Sequence, residues 1–370
     1  MLVKARLLAL ATVVSGCGSE APATVDGNHL GDALNNDASQ CVIGSPTDPA
    51  NCGACGHDCG GGACVDGGCE PATISTGENV PGAMAVDPSF VYWVNFGDNN
   101  VNNANGSVRQ LSKAGGSAQT LAPGQPGAFA VVVSSGVVFW ARCILADCEV
   151  WRINADGTGM QSLYVAGQLG NGGTVDGLAV DAQFVYFPDA MYGKIYEVST
   201  QGGPAQSVVT GEVRPIGMAE RMQSLFWANY PGTGQSTSTL RKATTTGSGV
   251  QDVSAGEHEP RGLMADDRGI YWATSDGNVI MFDLTVQSRM VIASGQNVPV
   301  AVATDDQFIY WANQGRAAMD GSIARAPKPP HVGGIETLAP NQADPQGIAV
   351  DGSFVYWANR GSDTIMRLAK

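Results

Sequence analysis

Seven copies of one short pattern run through the chain, ending at Trp93, Trp140, Phe187, Trp227, Trp272, Trp311 and Trp357. The fullest copy is the last, Gly347-Ile-Ala-Val-Asp351 followed by Phe354-Val-Tyr-Trp-Ala-Asn359. Successive copies lie 47, 47, 40, 45, 39 and 46 residues apart. A period of about 40–45 residues with two strand-like runs per copy predicts propeller blades. The expected fold is all-β, a seven-bladed β-propeller.

Aligned on the final aromatic, the copies reveal their physics. Ten residues earlier stand Ala83, Ala130, Gly177, Gly217, Gly262, Ala301 and Gly347, all small, as innermost strands crowded around an axis require. Six residues earlier stand Asp87, Asp181, Asp266, Asp305 and Asp351, with Ser134 and Arg221 as exceptions. An Asp there caps the hairpin between first and second strands through nearby backbone N–H groups. The residue before the Trp column is always Tyr or Phe, and the one before that Val, Leu or Ile. Both faces of such a strand must be covered, so these columns are core and not a sugar-stacking surface. The chain reaches Lys370 directly after a third strand. We therefore expect Ala72-Thr-Ile-Ser-Thr76, just before the first copy, to complete the seventh blade and close the ring.

The N-terminal residues speak of export. Lys4 and Arg6 precede an apolar run, Leu7 to Val14, too short to span a bilayer. Val14-Ser15-Gly16-Cys17 resembles a bacterial lipobox, which implies cleavage before Cys17 and lipidation of its thiol. Gly18 in place of Asp is similar to lipoproteins sorted to the outer membrane, with the mature chain on its periplasmic or cell-surface side. Cleavage removes Lys4 and Arg6 and no acid, taking the net charge from −14 to about −16. Such a chain repels phosphate backbones, so nucleic acid is not an expected partner, and membrane contact rests on the lipid alone. We expect a monomer.

Residues 1–16 thus read as a signal peptide and residues 17–40 as a flexible lipidated tether, poor in large apolar side chains. Residues 41–70 form a Cys-rich module with Cys41, Cys52, Cys55, Cys59, Cys64 and Cys69, and residues 71–370 the propeller. So small a module has almost no hydrophobic core, so disulfides must hold it, in a pairing the sequence leaves open. The alternative is a zinc site on Cys52, Cys55 and His57. The module resembles Cys-rich modules of exported myxobacterial proteins. Cys143 and Cys148 are the remaining pair and predict a local disulfide.

The Tyr-Trp-Ala-Asn strand after Gly-Ile-Ala-Val-Asp resembles the YWTD repeats of lipoprotein-receptor propellers and the NHL-type repeats, over roughly residues 72–370. Some propellers of this kind, the streptogramin lyases among them, are enzymes, but no catalytic His and Glu set can be matched to theirs here.

Function is expected on the face where second strands end. Residues leaving those strands are Asn95, Arg142, Asp189, Asn229, Thr274, Asn313 and Asn359. Nearer the axis stand Gly82, Phe129, Asp176, Ile216, Arg261, Val300 and Gln346. Arg142, Asp189, Arg261 and Asp176 are the candidate ligand contacts, because Arg binds carboxylate or phosphate bidentately. The Asn positions are also ordinary turn formers. His258 and Glu259, beside Arg261, are the candidate acid–base pair for a lyase or hydrolase. The oxygen-rich segment Asp98 to Asn105 could attract Ca²⁺, but it lacks the Gly and terminal Glu of an EF-hand loop; no cofactor or metal is expected. The leading expectation is a binding module for a protein, peptide or envelope polymer. An extracytoplasmic enzyme and a passive envelope scaffold are the alternatives.

Overall fold

The computed structural model describes residues 44–98, 105–144, 147–165, 175–232, 237–331 and 333–370. The expected signal peptide and tether, with Cys17 and Cys41, lie outside the described residues, as does most of the Asp98–Asn105 segment.

Seven four-stranded antiparallel sheets form the blades, six of them built from consecutive strands. Blade 1 runs through Pro81–Val86, Phe90–Asn95, Ser107–Ser112 and Gln119–Pro123. Blades 2 to 6 repeat this plan, with first strands Ala128–Ser134, Ala179–Val180, Pro215–Arg221, Arg261–Ala265 and Pro299–Thr304. Blade 7 takes Pro345–Val350, Phe354–Asn359 and Thr364–Ala369 from the end of the chain. Its fourth strand is Ala72–Thr76, which pairs Ala72 with Arg367 and Thr76 with Thr364. The ring closes as expected.

The core lies between blades. Tyr92 and Val94 of blade 1 pack with Val131 and Trp140 of blade 2, and equivalent clusters recur around the ring. All six Trp residues of the repeat column are fully buried. Truncating one to Ala would cost about 3–5 kcal/mol. The small column has the predicted cause. A Cβ on Gly347 would lie 2.3 Å from the Gly82 carbonyl oxygen, and one on Gly262 would lie 2.6 Å from the Ala301 Cα. First strands of adjacent blades touch backbone to backbone there.

The Asp column does more than cap the turn. Asp87 Oδ1 accepts the N–H groups of Ser89 and Phe90, while Oδ2 accepts the Tyr92 hydroxyl at 2.7 Å. Asp181, Asp305 and Asp351 repeat both contacts with Tyr186, Tyr310 and Tyr356. The two copies without Asp, at Ser134 and Arg221, are the two with Phe139 and Phe226 in place of Tyr. Where there is no hydroxyl to bind, the acceptor is gone.

On the same face, lysines that follow third strands reach the Asp of the preceding blade. Lys328 Nζ lies 2.5 Å from Asp266, Lys370 Nζ 2.5 Å from Asp305, and Lys113 Nζ 2.7 Å from Asp351. These clamps join blades 5 to 6, 6 to 7 and 7 to 1.

The Cys-rich module folds around the disulfides Cys52–Cys64 and Cys59–Cys69. Cys55 is disulfide-bonded as well. With Cys52 and Cys55 both oxidised, the zinc alternative loses its thiolates. The module packs on blade 7: Gly60 lies against the Phe354 ring, which also carries the Arg367 guanidinium 5.0 Å from its centroid.

Candidate functional site

The segment entering each blade follows one construction. Fifteen residues before the Trp column stands a Glu or Gln whose side chain accepts the indole N–H. The pairs are Trp93 with Glu78, Trp140 with Gln125, Trp227 with Glu212, Trp272 with Glu257, Trp311 with Gln296 and Trp357 with Gln342, at 2.8–3.1 Å. The third copy has Phe187, which has no N–H to donate, and Gly172 stands fifteen residues before it.

This latch absorbs most of the predicted ligand ring. Asn95, Asn229, Asn313 and Asn359 donate their amide N–H groups to Glu78, Glu212, Gln296 and Gln342. Asn95, Asn313 and Asn359 are buried, and Asn229 is half-buried. Asp189 is also buried, and its Oδ1 accepts the N–H groups of Met191 and Tyr192. Arg142 is held by Glu149 at 2.6 Å and by the Gly124 carbonyl, and it lies over the Trp151 ring. These side chains do not form the open ligand ring expected from the sequence. A side chain leaving the second strand turns back to tie the loop, because buried indole and amide donors must find acceptors. Cys143 and Cys148 pair with each other across the adjoining hairpin, Cα atoms 4.1 Å apart.

Two residues after the latch, the backbone enters the left-handed region. Val80, Gly127, Arg214, Glu259, Val298 and Asp344 occupy this column, with φ between 43° and 72°. Gly127 shows that the turn needs no side chain, yet five copies carry one at a cost of about 1–3 kcal/mol each. Three residues after the Trp column, the loop leaving the second strand meets this turn. The N–H of Phe96 donates to the Val80 carbonyl, Tyr230 to Arg214, Gln314 to Val298 and Arg360 to Asp344. The framework is constant while the chemistry of the two facing side chains changes from blade to blade. These two columns form the variable ring that sequence reasoning missed. The signal was the mixture of residue types in these columns amid columns that scarcely vary.

On blades 4 and 5 the ring becomes a connected polar surface. The Arg214 guanidinium lies 5.5 Å from the Tyr230 ring centroid. The Tyr230 hydroxyl donates to Glu259 Oε1 at 2.9 Å, and Arg261 Nη2 donates to Glu259 Oε2 at 3.1 Å. Beside it the Glu212 N–H donates to the Gly193 carbonyl, and Met191, Tyr192 and Val213, which flank these two residues in sequence, are exposed. His258 is exposed, and its carbonyl accepts the Ser275 N–H. Glu259, its expected acid–base partner, has both oxygens engaged.

The central channel has a volume of about 1070 Å³. Its walls are first-strand side chains such as Ala83, Val131, Leu178, Met218, Leu263 and Ile348. Asp176 stands at the mouth. Water reaches it along the channel, but the surrounding protein removes enough hydration to push its carboxyl above the usual range. Arg261 does not neutralise it, since that guanidinium is turned to Glu259.

No protein-family model matches the chain, and no curated protein resembles it significantly. Solved structures share the fold. Virginiamycin B lyase from Staphylococcus aureus matches at 13% identity over 81% of this chain and 98% of that one, with a TM-score of 0.62. A catalytically inactive form of that lyase with quinupristin matches at 13% identity, 81% and 99% coverage and a TM-score of 0.65. A nidogen/laminin complex matches at 17% identity over 60% of this chain and 86% of that chain, with a TM-score of 0.46, too distant to support a functional reading. At such identities the likeness is one of fold.

Proposed function

We propose that the chain is a cell-envelope lipoprotein, anchored through Cys17, whose propeller is a binding module for a protein, peptide or envelope polymer. One observation carries the binding reading: the Arg214–Tyr230–Glu259–Arg261 surface, flanked by exposed Met191, Tyr192 and Val213. Tyr, Arg and Met are the residue types enriched where proteins bind partners. Two of the four polar members, Arg214 and Glu259, hold a strained backbone that glycine would relieve, which favours a use for their side chains.

The enzymatic alternative draws on the fold shared with a lyase and on the exposed His258. It is the weaker reading, because Glu259 is already committed to Tyr230 and Arg261. The test is binding of the full chain to arrays of peptides and of envelope polysaccharides. A specific ligand whose affinity falls at least about tenfold in Tyr230→Ala supports the module. Turnover of a bound ligand, lost in His258→Ala, would replace it with an enzyme. Absence of any ligand would leave the scaffold. Metabolic labelling with a fatty-acid analogue tests the anchor, and an unlabelled chain would refute it.

A further inference from the structure

The charges around the channel do not balance. At the mouth, Arg360 is bound to Asp344 at 2.6 Å, and Gln346 donates to the other oxygen of the same carboxylate. Arg261 is bound to Glu259. Among the described residues no side chain hydrogen-bonds or ion-pairs with the carboxylate of Asp176. At the far end of the channel stands Glu220, which among the described residues accepts the N–H of Gln223, while the neighbouring Arg221 is turned away to Asp267. Glu220 lies four residues along its strand from the level of Asp176, about 13 Å at the usual rise per residue. Between the two acids the wall is aliphatic.

A pocket with apolar walls and a few polar groups selects ligands by the charge of those groups. Among the described residues the rim cations Arg261 and Arg360 have carboxylate partners, whereas no side chain is bonded to Asp176. We propose that the channel binds a protonated aliphatic amine, with its ammonium on Asp176 and its alkyl body along Leu178, Met218 and Leu263. An ammonium supplies donors to the carboxylate, and a charge-assisted hydrogen bond is among the stronger polar contacts. The alkyl chain replaces water along the aliphatic wall. A channel of about 1070 Å³ is too small for a folded partner, so the ligand is a small amine or an extended aminoalkyl group.

This site is separate from the loop-face surface, and its test is separate too. Calorimetric titration of the full chain with n-octylamine should give saturable binding near one equivalent, with a Kd of about 0.1–1 mM. Octanoate, with the same apolar body and the opposite charge, should bind at least about tenfold more weakly. Asp176→Asn, nearly the same shape, should lose about tenfold or more, and Asp176→Glu should restore part of it. Tyr230→Ala should leave octylamine binding unchanged. A thermal melt of each variant establishes that the ring is intact. Failure of octylamine to saturate below about 10 mM, equal affinity for octanoate, or undiminished binding in folded Asp176→Asn would each overturn the proposal.

Discussion

The indole N–H of Trp93 donates to the carboxylate of Glu78 at 2.9 Å, across fifteen residues of chain, inside the protein. The same contact in five further blades fixes the angle at which the chain enters each sheet. It also sets what happens when the acceptor is removed. Gln342→Ala would orphan the Trp357 indole and the Asn359 amide together. Unpaired buried donors cost about 1–3 kcal/mol each, so urea denaturation should show a loss of about 2–4 kcal/mol. Gln342→Glu keeps the acceptor and should lose much less.

The clamp at Lys328 has a pH signature. Burial of Asp266 opposes its ionisation, but the hydrogen bond and charge of Lys328, with the Arg268 N–H and the Thr304 hydroxyl, outweigh it and hold the carboxyl below its usual range. A depressed carboxyl stabilises the fold above its unfolded pKa, and that contribution is lost as pH falls through the folded value. Lys328→Met should cost about 2–4 kcal/mol near neutrality, because it leaves Asp266 without its cation. The gap between wild type and variant should close as the solution is acidified below the ordinary carboxylate range.

Asp176 predicts the opposite slope. Its carboxyl is raised by loss of hydration, so the folded state holds the proton more tightly than the unfolded state does. Stability from such a group is present below the unfolded pKa and lost as pH rises through the folded one. Asp176→Asn should therefore raise Tm at neutral pH, and the advantage should vanish once the medium is acidic enough to protonate Asp176 in both states. A melt series across pH checks this.

The left-handed column offers a third measurement. Val80 and Val298 hold φ of 57° and 58°, a conformation that is steeply unfavourable for a β-branched residue. Glycine there relieves the strain but adds freedom to the unfolded chain. Val298→Gly should be net stabilising by about 0.5–1 kcal/mol in denaturant titrations. Arg214→Gly and Glu259→Gly should likewise fold, and each should weaken whatever ligand the loop face takes.

The legible parts of the fold were those where one residue type answers one physical demand. Glycine or alanine at Gly347 and Ala301, aspartate at Asp87, and the apolar run through Trp357 each permit a single structural reading. Ala72–Thr76 was legible as the missing strand because the register left a gap of that shape. The ring at Asn95 and Asn359 was misread because an Asn at a strand end looks the same whether its amide faces water or a buried acceptor. The acceptor was visible in the sequence nonetheless, since Gly172 interrupts the Glu/Gln column in the one copy where Phe187 interrupts the Trp column. The turn at Arg214, Glu259 and Asp344 had no such mark. Those residues share no chemistry that announces a left-handed backbone, and only Gly127 hints at it.

In an open stack of repeats, the outermost units have one neighbour and come loose first. Here the strand Ala72–Thr76 binds the strand Thr364–Ala369, so every blade has two neighbours. The Lys113–Asp351 and Lys370–Asp305 pairs lie at and beside that junction. Unfolding therefore has no cheap place to begin. It must part a sheet or split an interface of buried aromatics in its first step. The folded lifetime is then set by the height of that opening barrier and not by gradual wear at a terminus.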